Sequence, residues 1–244
     1  MKNKIVITSI FLVLTFAVNA QNWWGGKNRI KGNGHVITTT RTISDFDDVS
    51  VGGSFEVLLV KGKEGKIVIE AEENIIPYIE TEVNGDHLKI QYKKNTNIST
   101  SKRVTVTVYF EEINGVSMGG SGRISSDDIM KAKRFKVNIG GSGKINLHLA
   151  ADEVFSSIGG SGDLILKGEA NEVNCKVAGS GSVKGYELTT DELQATIAGS
   201  GSIKMTVKTK INAKVVGSGS IYYKGNPKYI DTKSVGSGNV IDKN

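Results

Sequence analysis

The sequence predicts an all-β fold, a right-handed parallel β-helix or β-solenoid with coils of about 19 residues and Gly-Ser-Gly corners. Three observations predict it. First, Gly-Ser-Gly occurs seven times between Gly120 and Gly238, at successive steps of 21, 19, 19, 20, 18 and 19 residues; self-similarity at a period near twenty is the mark of a stacked repeat architecture. Second, the residues flanking each triplet alternate between apolar and polar, the period of a strand with one buried face. Third, helical periodicity is nearly absent, and only ENIIPYIE, interrupted by Pro77, hints at a helical turn.

Taken in order, Met1-Lys2-Asn3-Lys4, the apolar run IVITSIFLVLTFAV and Val18-Asn19-Ala20 read as the charged, apolar and small-residue parts of an export leader spanning residues 1–20. Its removal leaves 224 residues and lowers the formal charge from +6 to +4 through loss of Lys2 and Lys4. Residues 21–44 form a polar, Gly-rich segment around Trp23 and Trp24, partly flexible or capping, that ends in a β-branched strand; its expected role is to cap an apolar core, with a carbohydrate or membrane-interface contact by the two tryptophans as the alternative. Residues 45–244 are assigned to the solenoid, with the repeats starting at 118. Before them, VSVGGSFEVLLV, GKIVIEAE, YIETEV, HLKIQYK and RVTVTVYF read as strands, with Asn84-Gly85 as a hairpin turn. Each coil is expected to hold two or three short strands and no helix.

The corner residues are Gly120, Ser121, Gly122; Gly141, Ser142, Gly143; Gly160, Ser161, Gly162; Gly179, Ser180, Gly181; Gly199, Ser200, Gly201; Gly217, Ser218, Gly219; and Gly236, Ser237, Gly238. Two residues before each triplet stand Met118, Ile139, Ile158, Val177, Ile197, Val215 and Ser234; two residues after it stand Ile124, Ile145, Leu164, Val183, Ile203, Ile221 and Val240. The residues between triplet and second row are polar: Arg123, Lys144, Asp163, Ser182, Ser202, Ser220 and Asn239. With strands about 4.8 Å apart, six steps carry the corners along a ladder of about 29 Å. A corner repeated on every coil needs the same backbone path each time, with positive φ or close approach of stacked backbones, which glycine permits. The serine is expected to bond the local backbone or the serine one coil away. A row of hydroxyls forming a binding strip is the functional reading of the same residues.

The chemistry of other classes is missing from the pattern. No triplet opens a phosphate-cradling loop. GGSGDLIL is only superficially like a calcium-binding β-roll, because the period is nineteen and the positions equivalent to Asp163 hold Arg, Lys, Ser or Asn. His35, His87 and His148 lack ligand spacing, so no metal and no cofactor is expected. The acid doublets Asp47-Asp48, Glu72-Glu73, Glu111-Glu112 and Asp127-Asp128 point to opposite faces of a strand and make no acid/base pair on their own. Cys175, the one cysteine, sits in the alternating EVNCKVAG and reads as a buried small apolar residue. The spread of lysines among acids argues against a nucleic-acid stripe.

The stretch FDDVSVGGSFEVLLVKGKEGKIVIEAEENIIPYIETEVNGDHLKIQYK followed by Gly-Ser-Gly corners resembles the family of secreted bacterial proteins described as "putative auto-transporter adhesin, head GIN domain", over about residues 45–240. The resemblance implies a β-helical fold shaped like pectin-lyase-like proteins, no recognised catalytic set, and a role in adhesion. An auto-transporter carries a membrane β-barrel after its passenger; six residues follow Gly238 here, so export is expected from the leader. The function expected is therefore a non-enzymatic, exported adhesion or cell-envelope interaction module, in the periplasm, at the outer surface or secreted. Its partner would be a glycan or an envelope or host protein, with no nucleic acid and no transmembrane segment in the mature form. Solenoid ends with open strand edges point to a homo-oligomer through those ends, or to a Trp segment covering one of them. The rival reading is a polysaccharide lyase or hydrolase on the same scaffold.

Overall fold

A strand with alternating apolar residues must bury one face, and a chain that repeats such strands can do so by stacking them on themselves. The computed structural model describes residues 29–244; the leader at 1–20 and Trp23 and Trp24 lie outside the described residues. β1 (Arg29–Lys31) and β2 (Val36–Thr42) lead into β3 (Asp48–Gly53), β4 (Glu56–Lys61) and β5 (Lys66–Glu72). A single 3-10 turn, Ile76–Tyr78, follows with Pro77 at its start, where a missing N–H costs nothing. β6 (Ile79–Asn84) and β7 (His87–Tyr92) form an antiparallel hairpin closed by Gly85, at φ 60°, and Asp86. β8 (Asn97–Ser99) pairs back with β1; β9 (Thr105–Phe110) and β10 (Gly115–Gly120) complete the opening part.

The repeats then build β11 (Arg123–Gly141), β12 (Lys144–Gly160), β13 (Asp163–Gly179), β14 (Ser182–Gly199) and β15 (Ser202–Gly217), one coil each; β16 (Ser220–Lys224) and β17 (Tyr229–Val235) make the next, and β18 (Asn239–Asp242) starts a further one over β16. All pair in parallel, so the molecule is a β-solenoid. From β11 to β15 a coil is one long bent strand, where the sequence predicts two or three short ones. The reason is that pairing continues around the bend opposite the triplets, as in Ala150↔Glu169, Ala151↔Ala170 and Glu153↔Glu172.

Register stacks the two apolar rows. Ile124, Ile145, Leu164, Val183, Ile203, Ile221 and Val240 are successive partners, as are Met118, Ile139, Ile158, Val177, Ile197, Val215 and Ser234. Every member is buried except Val240 and Ser234 at the end of the stack. Full burial of such an aliphatic side chain contributes about 1.5–3 kcal/mol. Cys175 belongs to this interior: it is fully buried, Ser156 Oγ donates to its Sγ at 2.9 Å, and burial pushes the thiol up to about 11.

The unequal steps are absorbed by bulges. Between Ser125 and Ile129 β11 carries two more residues than β12, whose partners there are Asn146 and His148. Ser126 of this bulge turns inward, and Asp128 accepts the Lys61 N–H at 2.8 Å. Compensating shifts occur between β13 and β14 and between β14 and β15. The opening strands belong to the same stack: β3 pairs with β10, and β4 pairs with the start of β11. Among the described residues antiparallel strands appear only beyond them, as β2–β5–β9 on one side and β6–β7 on the other.

Candidate functional site

The triplets line one edge of the solenoid. Gly141 shows why its first position is glycine: φ is +120°, and a Cβ there would stand 2.6 Å from the Gly120 carbonyl oxygen of the preceding coil. Gly162 shows the same for the third position, where a Cβ would stand 2.5 Å from Ile139 Cγ2, so the inward side chain of the coil before fills the space the glycine leaves. Between them the serine N–H carries the ladder around the corner: Ser142, Ser161 and Ser180 donate to the carbonyls of Gly120, Gly141 and Gly160 at 2.8–2.9 Å. All seven corner serine side chains are exposed. Among the described residues no hydrogen bond joins the hydroxyls of successive corner serines or ties a corner hydroxyl to the local backbone, so neither expected side-chain bond forms and the coils are joined here by the backbone ladder.

An eighth corner precedes the seven. Gly53-Ser54-Phe55 lies against Gly120-Ser121-Gly122, with Gly53 at φ +127° and paired with Gly120. Phe55 takes the place of the third glycine, is fully buried and stacks on Tyr92 with centroids 4.5 Å apart. The sequence signal was present: VSVGGS at 49–54 and VSMGGS at 116–121 differ at one position.

Where this first corner meets the repeat, a polar groove of about 440 Å³ opens, lined by Ser54, Ser121 and Ser142 and by Arg103, Arg123 and Lys144, with Glu56 and Asp163 at its margins. Successive strands place Glu56, Arg123, Lys144 and Asp163 on consecutive rungs of one column. Both carboxylates are engaged: Glu56 with Arg103 at 3.2 Å, and Asp163 with Lys184 at 3.0 Å. Asp163 also accepts from Ser182 Oγ, and this bond, outweighing its partial burial, together with Lys184 and Lys144, holds its carboxyl below the usual range. Arg123 and Lys144, on adjacent rungs, form no ion pair among the described residues.

One wall of the groove is the segment leading into β9, and a buried carboxylate fixes it. Glu72 is fully buried and accepts from Gly34 N at 2.7 Å, Ser101 Oγ at 2.6 Å, Ser101 N at 2.9 Å and Lys102 N at 3.3 Å. The Ser101 hydroxyl bond, ahead of the opposing desolvation and aided by the backbone donors, lowers its pKa. Val104 O accepts the Glu56 N–H at 2.9 Å, so Arg103 stands between two anchored residues.

Further along the face that follows the corners, Lys204 lies 5.8 Å and Lys243 5.6 Å from the Tyr222 ring centre, and Lys224 lies 5.0 Å from that of Tyr186. The histidines do not meet: His35 pairs with Glu73 at 3.3 Å, His87 bonds Ser50 Oγ at 2.6 Å, and His148 sits on β12. Among the described residues no three His, Cys, Asp or Glu side chains gather into a metal-binding group, and no helix is long and apolar enough to cross a membrane.

Comparison with known proteins follows the same outline. The family described as "Putative auto-transporter adhesin, head GIN domain" matches residues 45–227. No curated protein matches the sequence. Among solved structures, a "putative adhesin" of Bacteroides fragilis is similar with a TM-score of 0.82 at 22% identity, covering 88% of this chain and 100% of its own. A "putative lipid binding protein" of Parabacteroides distasonis gives a TM-score of 0.73 at 26% identity, with 88% and 100% covered. A "putative adhesin" of Parabacteroides merdae gives 0.67 at 22% identity, with 88% and 99% covered.

Proposed function

Because the chain belongs to the family described as "putative auto-transporter adhesin, head GIN domain", we propose that it is a non-enzymatic binding module exported by its leader and working at the cell envelope or outside the cell. The observation that carries this reading is the outward column structure. Strand pairing holds polar and charged side chains at a constant spacing on a rigid face, with exposed corner serines beside it. An extended polymer, itself a repeat, can then make the same contact on successive coils.

The hydrolase half of the enzymatic rival is disfavoured by the placement of the groove's own acids, and the cleavage assay below tests the lyase half. Glu56 and Asp163 are three rungs apart, about 14 Å along the ladder, whereas glycoside hydrolysis needs a carboxylate pair separated by about 5–9.5 Å. Lipid binding, the property named for the Parabacteroides distasonis protein, is less well supported, since among the described residues the solenoid interior carries stacked, buried side chains such as Leu166, Cys175 and Ile197. The test is a broad array of glycans, envelope polymers and host proteins probed with the purified protein, with every bound polymer assayed for cleavage. Saturable binding without turnover is the expected result; turnover, or no ligand at all, overturns the reading.

A further inference from the structure

Resting on the binding-module reading, we propose that the groove between Arg103 and Lys144 is an anion-binding site that takes the carboxylate or sulfate groups of an acidic polysaccharide. Arg123 and Lys144 are direct ladder partners. Like charges at directly opposed strand positions destabilise a sheet, and neither side chain forms an ion pair among the described residues: the flanking Glu56 and Asp163 are in contact with Arg103 and Lys184, and Asp163 acts on Lys144 only through the field of its charge. On the other rungs of the column, at 182, 202, 220 and 239, the chain places Ser, Ser, Ser and Asn, so the fold does not require cations here. A bound anion relieves the repulsion and receives charge-assisted bonds from both side chains.

The remaining lining favours a saccharide as the carrier of that anion. Ser121 and Ser142 present exposed hydroxyls one rung apart, and the exposed serine column continues through Ser161, Ser180 and Ser200, so a polymer seated in the groove has further hydroxyls to meet. The apolar members of the lining, Phe55 and Val104, are buried. That leaves neither the aromatic anchor of a protein hot spot nor side chains that could enter a bilayer. The groove's volume lies within the range of small-ligand sites.

The experiment measures binding of the purified protein to polygalacturonate, chondroitin sulfate, neutral dextran, and phosphatidylcholine vesicles containing phosphatidylglycerol. The variant Arg123→Ser/Lys144→Ser uses the residue that the same column carries on three later coils, and Lys131→Ser/Lys133→Ser removes the same charge from the opposite bend. The acidic polymers are expected to bind and dextran and vesicles not to. The groove variant should weaken binding about tenfold or more, the effect of losing one charge-assisted contact, and the control variant should leave it unchanged. If both variants weaken binding equally, or neither does, the groove is not the site while the binding-module reading stands. Binding to vesicles alone overturns the proposal in favour of a lipid surface. If none of these probes binds but the broad array yields a neutral glycan or a protein, the groove assignment falls by itself; if the array too is empty, both fall.

Discussion

At the scale of the residue, the first and third positions of each triplet are fixed by contact between coils, whereas the serine is fixed by neither contact nor burial of its side chain. Gly160 has φ +116°, and a Cβ on it would lie 2.5 Å from the Gly141 carbonyl oxygen. Gly160→Ala is expected to lower stability by about 1–3 kcal/mol or more, the cost of a strained backbone position with a steric conflict added, whereas Ser161→Ala should stay within about 0.5 kcal/mol. Urea midpoints of the two variants decide it, and equal midpoints would remove the corner argument. This part of the molecule was legible in the sequence because the determinant is local and repeated: seven copies of the triplet announce both the turn and the two rows beside it. The corner at Gly53-Ser54-Phe55 does not carry the Gly-Ser-Gly signature because the third position, elsewhere needed empty, is here filled by a ring that finds its own room against Tyr92. The serines' exposure leaves them free for a partner, and their retention on every coil is then a matter of surface chemistry.

At the scale of the element, the opening strands are organised by one carboxylate. Glu72, at the end of β5, ties the turn before β2 through Gly34 and the approach to β9 through Ser101 and Lys102. Its folded pKa lies below the ordinary carboxylate value. Its contribution is therefore complete above the unfolded pKa near 4.3 and declines as pH falls through the lower folded value. Glu72→Gln should destabilise the protein at neutral pH by about 1–3 kcal/mol, since buried donors lose a charged acceptor. The difference from wild type should shrink below roughly pH 4, where the wild-type carboxylate begins to protonate. Denaturant unfolding across that range checks it; a difference independent of pH would mean that Glu72 acts by packing alone. This clamp was not legible beforehand, because its residues come from 29 to 38 positions apart in sequence, outside any repeat, and the Glu72-Glu73 doublet gives no sign that one member is buried and the other exposed. The groove was legible in half: Arg123, Lys144 and Asp163 stand in the polar row beside the triplets, whereas Glu56 and Arg103, 47 positions apart, carry no repeat signal. The hairpin, whose determinants are adjacent, was readable, although its turn is Gly85-Asp86, one position beyond the expected Asn84-Gly85, because Asn84 pairs with His87 at the end of β6.

At the scale of the whole molecule, stacking makes stability a sum over neighbouring coils, so a coil's protection depends on how many neighbours it has and what it turns inward. β13 is paired on both sides, with β12 and β14, and its inward residues Val173, Cys175 and Val177 are fully buried. β17 pairs with β15, and all seven of its residues are exposed. The rows that elsewhere hold Ile197 and Ala195, then Val215 and Ala213, end there in Ser234 and Thr232, so the outer coil gives up apolar burial where the face meets water. Local opening should therefore cost least at β17 and most near β13, because opening the centre requires breaking two interfaces. Native-state hydrogen exchange reads this directly, since amide protection spans free energies from near zero up to that of global unfolding. The amides of Tyr229–Val235 should exchange first and those of Val173–Val177 only with global unfolding. Equal protection along the stack would show that the solenoid unfolds as a single unit and that its last coil is held by contacts other than those of β15. A graded profile would mean that the rigid face presented to a polymer is the middle of the solenoid, where corner serines and columns are most firmly held.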